Sequence, residues 1–256
     1  ISKLNIIEMA LITASRRSPI ASQDGVFKNF EIEHLCKPVI ESVIKDAKIS
    51  KSDIDCIILG NALGAGGNPA RLCSLFAELP ESCPALTIDT QCCSGIDAIG
   101  VAANRIDSGQ ADVVLAGGVE SYSRAPLRAR LNRKNEYIPY TKAKFYPDDS
   151  QNLNIFDQIN FVSKDNVISF HEQCQSAILS HQRAKAWSHP DVVSFNAAGT
   201  TINFDTFTRL LSYKTCIRAN SDKKEINPCL VASKADGAAL TVLMSKKFFN
   251  KRKIKN

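Results

Sequence analysis

The residues whose types and spacing could do chemistry are Cys92, Cys93, Ser94 and Gly95, in the stretch from Leu86 to Ile99. Ala85 to Asp89 reads as a short buried strand. Past the cysteines, Ile96, Ile99, Ala103 and Ile106 recur at the three-to-four spacing of a helix. A thiol at such a strand-to-helix turn faces unpaired N–H groups and the positive end of the helix dipole, and both favour thiolate. Gly95 permits close backbone packing where a side chain would obstruct. This is the setting of a nucleophile. A free cysteine is otherwise a small buried hydrophobe, and the chain has nine, so the turn rather than the residue type singles out this pair.

The elements that must position these residues belong to a chain of ordinary globular composition. Its 256 residues are 44% hydrophobic and 23% charged, enough for one large domain or two small ones. No apolar run is long enough for a membrane helix, and no charged-then-apolar leader is read in the first residues. An odd number of cysteines without CxxC pairs favours neither a disulfide framework nor a zinc site, and a reducing cytoplasm is the expected setting. The net charge of +6 comes from Lys246, Lys247, Lys251, Arg252, Lys253 and Lys255; without those six, the 32 basic residues fall to the number of the 26 acids. The segment 247–256 is therefore expected to be a solvated basic tail, with Phe248 and Phe249 the residues that could dock instead. No specific nucleic-acid contact is read.

Strands and helices alternate along the first half. Ile6 to Ala14 is predicted as a strand, with Ser15 to Pro19 as its exit. Ile32, Leu35, Val39, Ile40, Val43, Ile44 and Ala47 mark one helix face, and Asp55 to Asn61 a strand buried on both sides. The glycine-rich loop Gly64 to Pro69 lacks phosphate-loop spacing and reads as a connection into a helix carrying Leu72, Leu75, Phe76 and Leu79. Asp112 to Ala116 is a further strand, ending at Gly117-Gly118. This is an α/β pattern with a mostly parallel or mixed sheet.

Several motifs then coincide in order: Gly60-Asn61; Gly67-Asn68-Pro69-Ala70-Arg71; Thr87-Ile88-Asp89 before Cys92-Cys93-Ser94-Gly95; and Ala116-Gly117-Gly118-Val119-Glu120-Ser121-Tyr122-Ser123. Ser180-His181-Gln182-Arg183-Ala184 and Ala232-Ser233-Lys234-Ala235-Asp236-Gly237-Ala238-Ala239 continue the series. Together they resemble the thiolase family, the acetyl-CoA acetyltransferases and 3-ketoacyl-CoA thiolases. The resemblance implies a layered α/β/α core with a mixed sheet, formed by residues 1–122 and 228–246, and an inserted loop domain over 123–227. The family's second, C-terminal core domain is absent.

The family pattern Cys-x-Ser-Gly places its acyl-accepting nucleophile on Cys92 rather than Cys93. It implies attack of the thiolate on a thioester carbonyl, an acyl-enzyme, and release of the acyl group to coenzyme A or a carbon nucleophile. Ser233 falls where the family contacts the pantetheine arm. Neither metal nor cofactor is implied, coenzyme A thioesters being substrates. Departures are Asp89 for Asn, Gln91 for a small apolar residue and Tyr122 for Met. The Met-Gly…Ala-Glu pattern that lines the acyl pocket is not recognisable between Asp157 and Ser169. The Asn-Glu-Ala-Phe, Gly-His-Pro and Cys-x-Gly-Gly motifs, which supply base, proton-transferring cysteine and oxyanion donors, are not present in this chain. His34, His171, His181 and His189 do not replace them by position.

The resemblance therefore implies the N-terminal half of an acyltransferase for thiolytic cleavage or Claisen condensation of a 3-ketoacyl-CoA, weak or inactive alone. Its expected partners are acyl-CoA and either a second copy or a chain carrying the other half. The alternatives are a degenerate homologue that binds acyl-CoA or a partner without turnover, and a β-ketoacyl synthase-like condensing enzyme. The Gly-Asn-Pro-Ala-Arg and Gly-Gly-Val-Glu-Ser stretches favour thiolase over synthase.

Overall fold

The computed structural model describes residues 9–64, 67–141, 143–148, 150–152, 161–187, 190–220 and 227–252. It divides into two compact units. The first is Ile1–Pro126 with His189–Phe207 and Lys234–Asn256; the second is Leu127–Ser188 with Thr208–Ser233. Residues 189–207, which the sequence reading groups with the insert, fall in the first unit. Arg17 draws them in: it donates to Asp191 at 2.8 Å and to Asp205 at 2.7 Å.

A six-stranded mixed sheet forms the first unit's middle layer. Its strands are β1 (Leu11–Arg17), β2 (Ala21–Ser22), β3 (Cys56–Gly60), β4 (Ala85–Ile88), β5 (Val113–Ser121) and β10 (Ala235–Met244), in the order β1-β10-β5-β3-β4 with β2 on β10. β3 runs parallel to β4 and β5, while β10 is antiparallel to β5 and β1. Helices α1 (Ile32–Asp46) and α2 (Pro69–Phe76) cover one face. Helix α3 (Ser94–Asp107) covers part of the other, over Ile58, Val114, Ala116 and Leu243.

Tertiary pairing overrides several local expectations. The first strand runs on through Ser15–Arg17, because these residues pair in register with Thr241, Leu240 and Ala239 of β10; Ile6 to Glu8 lie outside the described residues. β5 continues through Gly117-Gly118 to Ser121, since β10 pairs with it over its whole length. Gly117 is needed there, as a Cβ would meet the Ala239 carbonyl oxygen at 2.0 Å. β4 is the edge strand rather than a buried one, and Leu86 is exposed. On α2 the small residues Ala70, Cys73 and Ser74 face inward and Leu72, Leu75 and Phe76 face out. On α3 the buried positions are Ser94, Ala98, Ala102 and Ile106, leaving Ile96 68% exposed.

The chain after β10 is not frayed as far as Arg252. Ser245 caps helix α6 (Lys246–Lys251), accepting from Phe248 N at 3.0 Å. Phe248 and Phe249 pack half-buried against the main core, and Arg252 pairs with Asp53. The expectation of a solvated tail is thus corrected for 247–252; Lys253 to Asn256 lie outside the described residues.

The second unit contains a hairpin of β6 (Ala129–Leu131) and β7 (Tyr137–Pro139), and helices α4 (Phe170–Ala186) and α5 (Tyr213–Asn220). A capping box opens α4, with Ser169 and Glu172 bonding each other's backbone N–H. The hairpin β8 (Phe195–Ala197) and β9 (Thr200–Ile202) belongs to the first unit.

Candidate active site

Cys92 is the middle residue of a single 3₁₀ turn, Gln91–Cys93, that leads directly into α3. Gln91 takes the left-handed conformation, with φ of 58°. A non-glycine residue there is strained, and its neighbours hold it. Asp89 Oδ1 accepts from Gln91 N at 2.9 Å. The Ser94 hydroxyl accepts from Thr90 N at 2.9 Å and donates to Gln91 O at 2.6 Å. Thr90 in turn donates to Asp97 in the first turn of α3. Both Cys92 and Cys93 are exposed, whereas the other seven cysteines are buried.

Glycines bring this turn onto the sheet. A Cβ on Gly60, the last residue of β3, would lie 2.5 Å from Ser94 C and 2.6 Å from Gly95 N. One on Gly118 would lie 3.6 Å from Gly95 Cα. Any side chain at Gly60 would push the start of α3 away. The cysteine turn therefore sits at the carboxyl ends of β3 and β5, the place where open α/β sheets bind ligands.

The remaining motif residues brace this end of the sheet. Asn68 caps α2, accepting from Arg71 N at 3.2 Å and from the Thr87 hydroxyl at 2.6 Å, and donates to Ala85 O at 3.0 Å. Arg71 donates to Cys83 O and Glu81 O. Asn61 donates to Val119 O at 2.9 Å and to Glu120 Oε1 at 2.7 Å, and accepts from Gly64 N. Glu120 Oε2 accepts from Ala62 N and Leu63 N at 2.9 and 3.1 Å. Burial pushes the Glu120 carboxyl above the ordinary glutamate range, and the Asp89 charge adds to it, against the pull of those three donors. Asn61 and Glu120 enter the sequence comparison only as letters of motifs; their partnership across two strands has no signal in spacing.

Ser233 is exposed, in the second unit, in the connection entering β10. Cys92 and Ser233 thus belong to different units. Tyr122 carries the Lys234 ammonium 5.6 Å from its ring centre. Buried Asp236 accepts from Ser123 N at 2.9 Å, joining the start of β10 to the end of β5. His34 stacks on Phe76 from α1, across the sheet from α3. His171 lies on α4 against Tyr213. His181 accepts from Arg209 N at 3.2 Å, and burial followed by the Arg209 charge pushes its pKa down. His189 and residues 157–160 of the unmatched acyl-pocket stretch lie outside the described residues. The site as built offers an accessible thiol on a rigid turn at a helix N-terminus, with no described histidine of its own unit on the same sheet face.

Solved structures share this architecture. The acetyl-CoA acetyltransferase of Bacillus anthracis superposes with a TM-score of 0.82, at 24% identity, covering 98% of this chain and 69% of that one. Acat5 thiolase of Ascaris suum, solved in complex with coenzyme A, gives the same score and identity over 96% and 68%. The model of the thiolase N-terminal domain matches residues 10–194. This chain belongs to the thiolase family. A Bacillus subtilis relative provisionally named acetyl-CoA C-acetyltransferase YhfS is 35% identical over 69% of this chain. One from Staphylococcus aureus, provisionally named acetyl-CoA C-acetyltransferase VraB, is 31% identical over 94% of it. The chain spans 44% and 66% of the lengths of those two relatives.

Proposed function

We propose that this chain is the nucleophile-bearing half of a thiolase-type acyltransferase. The observation that carries the reading is Cys92, exposed on a braced turn at the N-terminus of α3 over the Gly60–Gly118 cradle. In thiolysis the Cys92 sulfur bonds the 3-keto carbon, and the bond between C2 and C3 breaks. The leaving acetyl-CoA carbanion takes a proton. Coenzyme A then attacks the acyl-enzyme thioester, acyl-CoA forms, and the Cys92 sulfur is released. Condensation is the reverse.

That sequence needs a base within hydrogen-bond reach of the thiol and donors for the oxyanion. We assign both to a half that carries the Gly-His-Pro and Cys-x-Gly-Gly motifs and docks on the α3 side of the sheet. Three features support this docking. Ile96 faces outward from α3, and Ile99 is half-buried beside it. Beside α3 the same sheet face carries polar residues on β1 and β10, where exposed Ser15 donates to Thr241 at 3.2 Å. A cavity of about 230 Å³ lies there, lined by Ser15, Arg17, Ile99, Gly117 and Thr241 among others. We assign the approach of the base to this direction, α1 and α2 occupying the opposite face. Acyl-CoA is the proposed substrate class, with Ser233 on its pantetheine arm.

Two measurements test the reading. Brief iodoacetamide treatment near neutral pH, followed by peptide mapping, should label Cys92 ahead of the other cysteines; preferential labelling of Cys93 sinks the assignment. Acetoacetyl-CoA thiolysis should be weak with this chain alone and rise by several powers of ten when a chain with the missing motifs is added. Tight acetoacetyl-CoA binding with no turnover in either mixture would replace it with the reading of a binding protein.

A further inference from the structure

The core of the second unit is made of thiols. Cys174 on α4, Cys216 on α5 and Cys229 in the turn 227–230 form one buried cluster, exposed by 0%, 0% and 6%. Phe170, Ile178, Leu211, Ala219 and Leu230 pack around it. Buried Asn227 holds two of the three together. Its Nδ2 donates to Cys216 O at 2.8 Å, and its Oδ1 accepts from Cys229 N at 2.9 Å. Arg209, anchored on Pro228 O at 3.0 Å and Val231 O at 3.3 Å, places its positive charge beside Cys229.

We propose that Cys229 and Cys216 are a peroxide-oxidisable pair, Cys229 reacting first and Cys216 closing the disulfide. Cys229 is the most accessible of the three, and the Arg209 guanidinium beside it works against the burial that raises its thiol. Its sulfur attacks hydrogen peroxide; an S–O bond forms, the O–O bond breaks, and one water leaves, giving the sulfenic acid. The Cys216 sulfur then attacks the Cys229 sulfur; an S–S bond forms, the S–O bond breaks, and the hydroxyl leaves as a second water with the Cys216 proton. Two thiols and one peroxide become a disulfide and two waters, the two electrons passing from sulfur to oxygen.

Cys174 is the third thiol of the cluster. Burial pushes all three thiols above the ordinary cysteine range. Among the described residues no group of three or more histidine, cysteine or carboxylate side chains is arranged to hold a metal ion. The proposal lies in the unit that does not hold Cys92, and it does not depend on acyl transfer.

The test is peptide mapping of the whole chain after graded hydrogen peroxide, free thiols being blocked with iodoacetamide before non-reducing digestion. A Cys216–Cys229 crosslink is expected within one chain, and it should persist in Cys174→Ser. In Cys216→Ser the crosslink should vanish and Cys229 should carry a dimedone adduct. Oxidation confined to Cys92 and Cys93 would overturn the proposal, as would Cys216 crosslinked to Cys174 with Cys229 left free at every dose. The wild-type map decides between these even if a variant fails to fold.

Discussion

At the residue scale the cysteine turn depends on groups that do no chemistry themselves. Gly60 admits α3 onto β3, and the Ser94 hydroxyl joins the two ends of the turn. Gly60→Ala forces a methyl group against the backbone of Ser94 and Gly95, and should lose about 3 kcal/mol in urea unfolding while slowing Cys92 alkylation. Unchanged stability would mean that α3 does not rest on Gly60. Glu120 makes a pH prediction. Its native carboxyl binds its proton more tightly than the unfolded one, so its contribution is most favourable below the ordinary value of 4.5. That contribution is lost as pH rises through the raised native value. Urea midpoints of the wild type and Glu120→Gln, measured between about pH 4 and 7, should diverge in slope, the variant being flatter. Parallel profiles would show that Glu120 titrates normally.

At the scale of elements, α6 shows how a basic stretch can still be structure. Its cations face water while Phe248 and Phe249 pack against the main core. Removing both rings, as Phe248→Ala with Phe249→Ala, should lose about 2–3 kcal/mol and lower Tm by roughly 5–10 °C. A melt unchanged by the double substitution would return 247–252 to the frayed tail expected from composition. The long pairing of β5 with β10 has the same character. Neither Gly117 nor Gly118 ends the strand: β10 pairs past both, Gly117 being crowded by Ala239 of β10 and Gly118 by Gly60 of β3.

At the scale of the molecule, the first unit leaves two apolar surfaces open. The α3 side is the one we assign to a second half. The other is formed by Leu72, Leu75 and Phe76 of α2, which are 45%, 43% and 40% exposed, with Leu86 on the neighbouring edge strand. Exposed apolar surface of this kind marks an association site, and we propose a second copy of the chain as its occupant. Leu72→Glu with Leu75→Glu should shift the sedimentation profile towards monomer. Identical profiles for wild type and variant would separate self-association from this face.

Much of this protein was legible before any coordinates. The ordered motifs placed Cys92 on a strand-to-helix turn, and local periodicity located α1, β3 and α3, because spacing along the chain determines which side chains can share a face. The described helices include none long and apolar enough to cross a membrane, in keeping with the absence of long apolar runs in the sequence. What periodicity does not carry is which stripe finds a neighbour. Leu72, Leu75 and Phe76 look like a core face until Ala70 and Cys73 are seen packed inward, and Ile96 begins a convincing stripe on α3 that the sheet does not cover. The thiol cluster was likewise invisible. Cys174, Cys216 and Cys229 lie on separate elements with no motif spacing, and only the packing of α4, α5 and the Asn227 turn made them neighbours. Burial is a property of pairs of surfaces, and one strand of sequence states only half of each pair.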